Sequence, residues 1–476
     1  MATAFQVKEH LELAVPGGRL LLELDEPAIR LALSIFPNDS GAPIRQEEVL
    51  KALEEFGIVR GIEPELIETT LEELERDSQP VERLIVARGR QPVPPEDAYL
   101  EIPVLDRLPR RDDDPENIIA LCQKRIVNVE AGETVAIYHP ITEGVPGVTV
   151  RDKVLPAEMG SDLTQKMARN LEWDDKAMVS KVDGRLVLEE RSIYVDDVLR
   201  IEDDLTVVSG EIDFVGKIFV EGNIESGVQV RCKKDINVEG SIIGSDIHCE
   251  GDLAVKRGII GSEETVVEVR GDLTTAFVEN ATLKVHGRCL IEDSFATSYL
   301  RCSRDLNMTQ GRGHFVSGVV TAREGIRVRE AGIDVNSKVR LSVGRDALAE
   351  ERKQELDDEI ERVARALAEI KDVLKKAGPD TPTFRRLPES KRVEIETLDE
   401  QRPRIEGQLG ELKLQLEDLQ PRLVPTHDAS VSVLDTVHTD VLIEFPLVRH
   451  KVRTDVKGIC YRFDSENVRI ESRAAA

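Results

Sequence analysis

Seven stretches of one form decide the fold. They are IDFVGKIFV from Ile212, VRCKKDINV from Val230, IHCEGDLAV from Ile247, VEVRGDLTT from Val267, LKVHGRCLI from Leu283, LRCSRDLNM from Leu300 and VTAREGIRV from Val320. Start-to-start spacings are 18, 17, 20, 16, 17 and 20 residues, and a fainter copy, IYVDDVLRI, begins 19 residues ahead at Ile193. Each unit reads apolar-x-apolar, a corner, then apolar-x-apolar, so each arm alternates with the period of a strand that has one face inward. Intervening segments such as GNIESG and GSIIGS supply a third side. A repeat near 18 residues, with tight corners and no hairpin loops, predicts a β-solenoid in which equivalent positions stack from coil to coil. Ile218, Ile224, Val230, Ile236 and Ile242 keep the hexapeptide period of a left-handed helix, but the period fails at His248 and Asp272. The right-handed parallel β-helix is therefore the expected form.

Proline marks the limits of this array. All 22 prolines lie at or before Pro156 or at or after Pro379, while 17 of the 32 glycines lie between residues 201 and 345. Proline cannot donate to a strand ladder, and glycine suits tight corners, so the middle of the chain reads as all-β. Beyond it, Leu356, Ile360, Val363, Leu367, Ile370 and Leu374 recur in steps of four and three. A second heptad run holds Leu398, Ile405, Leu409, Leu412, Leu416, Leu419 and Leu423, with Arg402 at one missing seam position. Between the runs, GPDTPTFRRLPES (378–390) breaks the helix. Two heptad helices and such a turn predict an antiparallel coiled-coil hairpin, each arm of about 30 residues reaching roughly 45 Å. The expected organisation is an N-terminal α+β domain over 1–190, the solenoid over 191–345, the hairpin over 346–424, and a β segment over 425–476 that returns to cap the solenoid. Within the first domain, IRQEEVLKALEEFG from Ile44 and EPELIETTLEELERD from Glu63 read as amphipathic helices, the second opened by Pro64.

Composition bounds the function. The 476 residues carry 64 basic and 91 acidic side chains, a net charge of −27. That field opposes binding to nucleic acid or to an anionic membrane as the main task. One Trp, 5 Tyr and 11 Phe are too few for a sugar-binding groove or a row of base-stacking platforms. No signal-peptide pattern or long apolar run appears, and Cys122, Cys232, Cys249, Cys289, Cys302 and Cys460 include no CxxC. The expectation is a cytoplasmic protein with reduced thiols.

Several segments carry a family likeness. They are the Ala-Gly-Glu turn at Ala131–Glu133, Pro140, GVPG at Gly144–Gly147, SGEIDFVGKIFVEGNIESGVQV from Ser209, GIIGS from Gly258 and GDLTTAFVENATL from Gly271. Together with the coiled coil they resemble the bacterial flagellar assembly protein A family over nearly the whole chain. The resemblance implies a cytoplasmic β-solenoid protein acting in flagellar assembly or placement through protein partners, with no catalytic residue or cofactor to carry over. Corner positions that are often glycine are Lys234, Arg304 and Glu324 in this chain.

Two sets of stacked side chains could carry chemistry. Asp235, Asp252 and Asp272 share one repeat position, with Asp305 two coils on, so their carboxylates can stack about 5 Å apart and would be the candidate Ca²⁺ ligands. The stronger reading is that they satisfy corner N–H groups. Cys232, Cys249 and Cys302 share a position with Phe214, Val269, Val285 and Ala322 and read as core, whereas His248 and His286 face outward. GRGHFVSG from Gly311 matches no phosphate-binding loop, and no HExxH or serine-nucleophile signature is present. The coiled coil is the best candidate for function, and its turn, with Phe384, Arg385, Arg386 and Leu387, is the candidate contact point. The expected function is a non-enzymatic scaffold or regulator of flagellar assembly. The alternatives are a self-assembling, bactofilin-like solenoid and, less favoured, a solenoid carbohydrate-active enzyme or acyltransferase.

Overall fold

A computed structural model describes residues 5–38, 42–108, 111, 117–162, 167–262, 265–333, 338–464 and 467–475. The repeat register translates directly into ladders. The first residues of the seven units form one parallel ladder, Ile212, Val230, Ile247, Val267, Leu283, Leu300 and Val320. The seventh residues form another, Ile218, Ile236, Leu253, Leu273, Cys289, Leu306 and Ile326. The intervening segments close the third side through Leu205, Ile224, Ile242, Ile259, Val278, Phe295, Phe315, Ala331 and Val437. All of these side chains are buried in one continuous core. Aliphatic residues fill it because each coil offers an inward position only every second residue and three sides must meet at van der Waals distance. Phe295 and Phe315 stack within it, with centroids 4.8 Å apart.

Two details depart from the sequence reading. The faint copy at Ile193 is half a coil. Its second arm, Val198–Ile201, pairs with the solenoid, whereas Ser192–Asp196 pairs antiparallel with Gly184–Leu188. The solenoid also does not stop at residue 345. Leu341 and Ile443 extend the first ladder and Val431 extends the second. The coil that begins with Val339–Val343 is therefore completed by Ser430–Val437, and two long helices, Ala347–Ala377 and Glu389–Leu423, occupy the corner between its arms.

The last strands reverse direction. Val456–Asp464 pairs antiparallel with Ser430–Val437, Arg469–Ala474 pairs with it in turn, and Arg449–Lys451 pairs antiparallel with Leu442–Glu444. Tyr461, Phe445 and Phe463 pack into the core there. At the other end, Asn128 lies across the first strand of the ladder, Ile212–Phe214. Its side chain donates to the Asp213 carbonyl at 3.0 Å and accepts from the Val215 N–H at 3.4 Å.

The chain divides into two compact units. One comprises 1–109, 134–168 and 172–179; the other comprises 110–133, 169–171 and 180–476. In the first, an antiparallel sheet runs in the order Val7–Val15, Gly18–Asp25, Arg30–Pro37, Val81–Arg88. The two expected helices form at Gln46–Glu55 and Pro64–Asp77. Leu20, Leu22 and Leu24 alternate inward against Val49, Leu53, Ile67 and Leu71. This is the α+β unit that the N-terminal helical patterns foreshadow.

Candidate functional site

The corner aspartates come first, since they decide whether the solenoid holds a metal. Asp235 Oδ1 accepts the backbone N–H of Asp252 at 3.1 Å, Asp252 Oδ1 that of Asp272 at 2.8 Å, and Asp272 Oδ1 that of Arg288 at 2.6 Å. Each carboxylate thus binds the next coil rather than its own turn. Lys217 lies 2.9 Å from Asp235, and its ammonium, with the Asp252 N–H, holds that carboxyl below the usual carboxylate range. Oxygens committed to backbone donors are poorly placed to converge on a cation that asks for six to eight of them. Among the described residues no group of three or more His, Cys, Asp or Glu side chains is arranged to hold a metal ion.

The stacked thiols are interior. Cys232, Cys249 and Cys302 are buried, and their Sγ atoms lie 3.0, 3.2 and 3.2 Å from the carbonyls of Gly216, Lys234 and Gly287. Burial pushes Cys232 up to about 11 and Cys249 and Cys302 up to about 12, so none is a thiolate at neutral pH. His248 and His286 point outward and flank Glu268 at 3.5 and 3.7 Å.

The helical arm has a built seat, and it uses the same repeat position as those aspartates. Counting from the inward residue before the corner, Asp346 follows Val343 as Asp252 follows Cys249. Here the corner aspartate becomes a helix cap. Its Oδ1 accepts the Ala349 N–H at 3.0 Å and the Ser303 hydroxyl at 2.9 Å. Its Oδ2 takes Arg422, at the far end of the second helix, at 2.9 Å. The Asp346 side chain is 1% exposed. One carboxylate therefore ties the start of one helix, the end of the other and the coil two turns back.

A second clasp lies on the solenoid's outward face. Lys284 and Arg301, neighbours in register on consecutive coils, reach Glu351 of the first helix at 2.7 and 2.6 Å. Burial opposes ionisation of Glu351, but the two cations outweigh it and hold its carboxyl below its ordinary range. Arg323 adds a hydrogen bond to the Pro421 carbonyl at 3.1 Å.

Beyond the seat the helices pack on each other. Ala349, Leu356, Leu412 and Leu419 are buried together, flanked by Ile360, Val363, Leu416 and Leu423. Arg352 reaches Gln415 and Lys371 reaches Glu406, so the two helices run in opposite directions. At the turn, Phe384–Arg386 forms a short 3₁₀ helix. Arg385 and Arg386 are exposed there, whereas Phe384 and Leu387 are half-buried. Of the four candidate contact residues, the two arginines are thus the exposed ones. Sequence reasoning missed the Asp346, Ser303 and Arg422 seat. Its available signal was the VGRD of 343–346, an eighth corner in frame with the others.

A parallel β-solenoid bearing a two-helix arm in one corner, with an α+β unit ahead of it, defines a class of repeat protein. Within that class the chain belongs to the flagellar assembly protein A family: residues 197–468 match the family's β-solenoid domain and residues 20–191 its N-terminal region. No curated protein and no solved structure shows a significant match. Membership gives the chain a role in flagellar assembly. No helix among the described residues is long and apolar enough to cross a membrane.

Proposed function

We propose that the protein is a cytoplasmic, non-enzymatic scaffold in flagellar assembly, and that its working part is the arm, an antiparallel coiled coil held out from the solenoid to meet protein partners. The observation that carries this reading is the seat. A carboxylate buried at the root and paired with Arg422 is costly to desolvate, and such pairs are retained where they fix one geometry. The seam residues are consumed within the arm, which leaves its charged faces available for docking.

The same reading assigns the last strands a capping role. The outermost strands, Arg469–Ala474 and Arg449–Lys451, carry Arg469, Glu471 and Arg473 on one sheet and Arg449, His450 and Lys451 on the other. Charged edge strands discourage end-to-end pairing, which counts against the bactofilin-like alternative.

The test is to replace residues 347–423 with a short Gly-Ser corner and to express the product in a flagellated host lacking the native gene. The arm-less protein is expected to fold, to keep its solenoid circular dichroism and to fail to restore flagellation. Full restoration of flagellar number and motility would overturn the proposal.

A further inference from the structure

We infer that the tip of the arm is a receptor for an acidic segment of a partner protein, recognised by Arg385 and Arg386. The inference rests on the proposal that the arm docks proteins, and it adds the chemistry of the partner. Its first support is the distribution of charge. Residues 375–392 contain Lys375, Lys376, Arg385, Arg386, Lys391 and Arg392 against Asp380 and Glu389, a net +4 in a chain of −27. Residues 346–361, at the root, hold eight acids and two bases, a net −6. The first helix has 31 residues, so roughly 45 Å separates these ends, several times the Debye length of about 8 Å at physiological salt. The acidic body therefore does not cancel the field at the tip.

The second support is pairing. At the root, Arg345, Arg352 and Lys353 are bound to Glu350, Glu355 and Asp357. At the tip, Lys376 and Lys391 have partners in their own helices, Asp372 and Glu394, whereas Lys375, Arg385 and Arg386 are exposed and form no ion pair with any described residue. The turn that presents the arginines is braced. Thr381 Oγ1 donates to the Gly378 carbonyl at 2.8 Å and accepts the Phe384 N–H at 3.3 Å. Adjacent guanidinium forks on a braced turn suit carboxylates, which they bind in a bidentate manner at low ordering cost. A bilayer is the less favoured occupant. Surface anchors pair basic groups with fully exposed apolar residues that insert, and here Phe384 and Leu387 are half-buried.

The experiment uses the full chain and a fluorescent Asp/Glu-rich peptide, with its Asn/Gln counterpart and phosphatidylcholine vesicles with and without phosphatidylglycerol as comparisons. The acidic peptide should bind, more weakly as salt rises, and R385E/R386E should weaken it at least tenfold. The control R257E/R404E, which changes net charge equally away from the tip, should bind as the wild type does, and circular dichroism should be the same for all three. Equal binding by R385E/R386E, binding to anionic vesicles in place of the peptide, or binding to neither would each overturn the inference. An arm-less protein that restores motility would sink the scaffold proposal while leaving a mapped peptide site intact, so the two failures are distinguishable.

Discussion

Asp252 and Gly271 explain each other. The Asp252 carboxylate reaches forward to the Asp272 N–H, and a Cβ on Gly271 would lie 2.2 Å from its Oδ1 and 2.6 Å from the Gly251 carbonyl oxygen. The same clash joins Asp235 to Gly251 and Asp272 to Gly287. Where the preceding coil offers Lys217 or Arg288 at that position, the glycine site is Lys234 or Arg304, so those two substitutions follow from the missing carboxylate. Glu324, which follows Asp305, is the exception; Asp305 turns instead to Arg288 at 3.6 Å. None of this coupling was readable from one unit alone, because the side chain and the glycine it requires belong to different coils. Gly271→Ala is expected to cost about 1–3 kcal/mol as the corner is overpacked. Asp252→Ala should then cost less in that background than alone, with a coupling on the order of 1 kcal/mol in a denaturant-based double-mutant cycle. Strict additivity would show that the two corners do not communicate.

The arm as an element was legible and its root was not. Heptad spacing places both helices because the seam residues must face each other every three or four positions, whatever surrounds them. The second helix spans Glu389–Leu423 with Pro403 and Pro421 inside it, although an interior proline forfeits a backbone hydrogen bond, because tertiary packing along Ile395, Leu412 and Leu419 outweighs that local penalty. The root depends on Asp346 meeting Ser303 and Arg422 across 43 and 76 residues, and no periodicity reports such a meeting. Asp346→Ala removes the helix cap and leaves the partly exposed Arg422 without its counter-charge, so it should destabilise the arm by about 1–3 kcal/mol and open protease cleavage near residues 346 and 422. Asp346→Ala/Arg422→Ala, which strands no charge, should recover part of that loss. Helix unfolding in urea, followed by circular dichroism with parallel limited proteolysis, checks both; an Asp346→Ala protein as stable as wild type would mean that the clasp on Glu351 suffices.

At the scale of the molecule the difficulty is that a solenoid has ends. Every coil is stabilised by the next, so the last one presents unpaired N–H and C=O groups and an open apolar interior to anything of matching shape. Here the chain turns back on itself. Val456–Asp464 pairs antiparallel along Ser430–Val437, and His438 is gripped on both ring nitrogens, by Glu330 at 2.9 Å and by Asp455 at 3.1 Å, where the reversed strands begin. On the capping role proposed above, the reversal would change a repeating surface into one that no longer matches its own start, since a copy of Ile212–Phe214 would meet an antiparallel, charged edge. A protein truncated after Lys451 should therefore expose the strand that carries Val431, Val433 and Val437 and associate reversibly or precipitate, while the full chain sediments as a single species over the same concentrations. Sedimentation velocity measures this directly, and circular dichroism establishes that the truncated chain retains its strands. A truncated protein that stays folded and sediments identically to its monomer would show that the edge is harmless, and that these strands serve a purpose other than closing the solenoid.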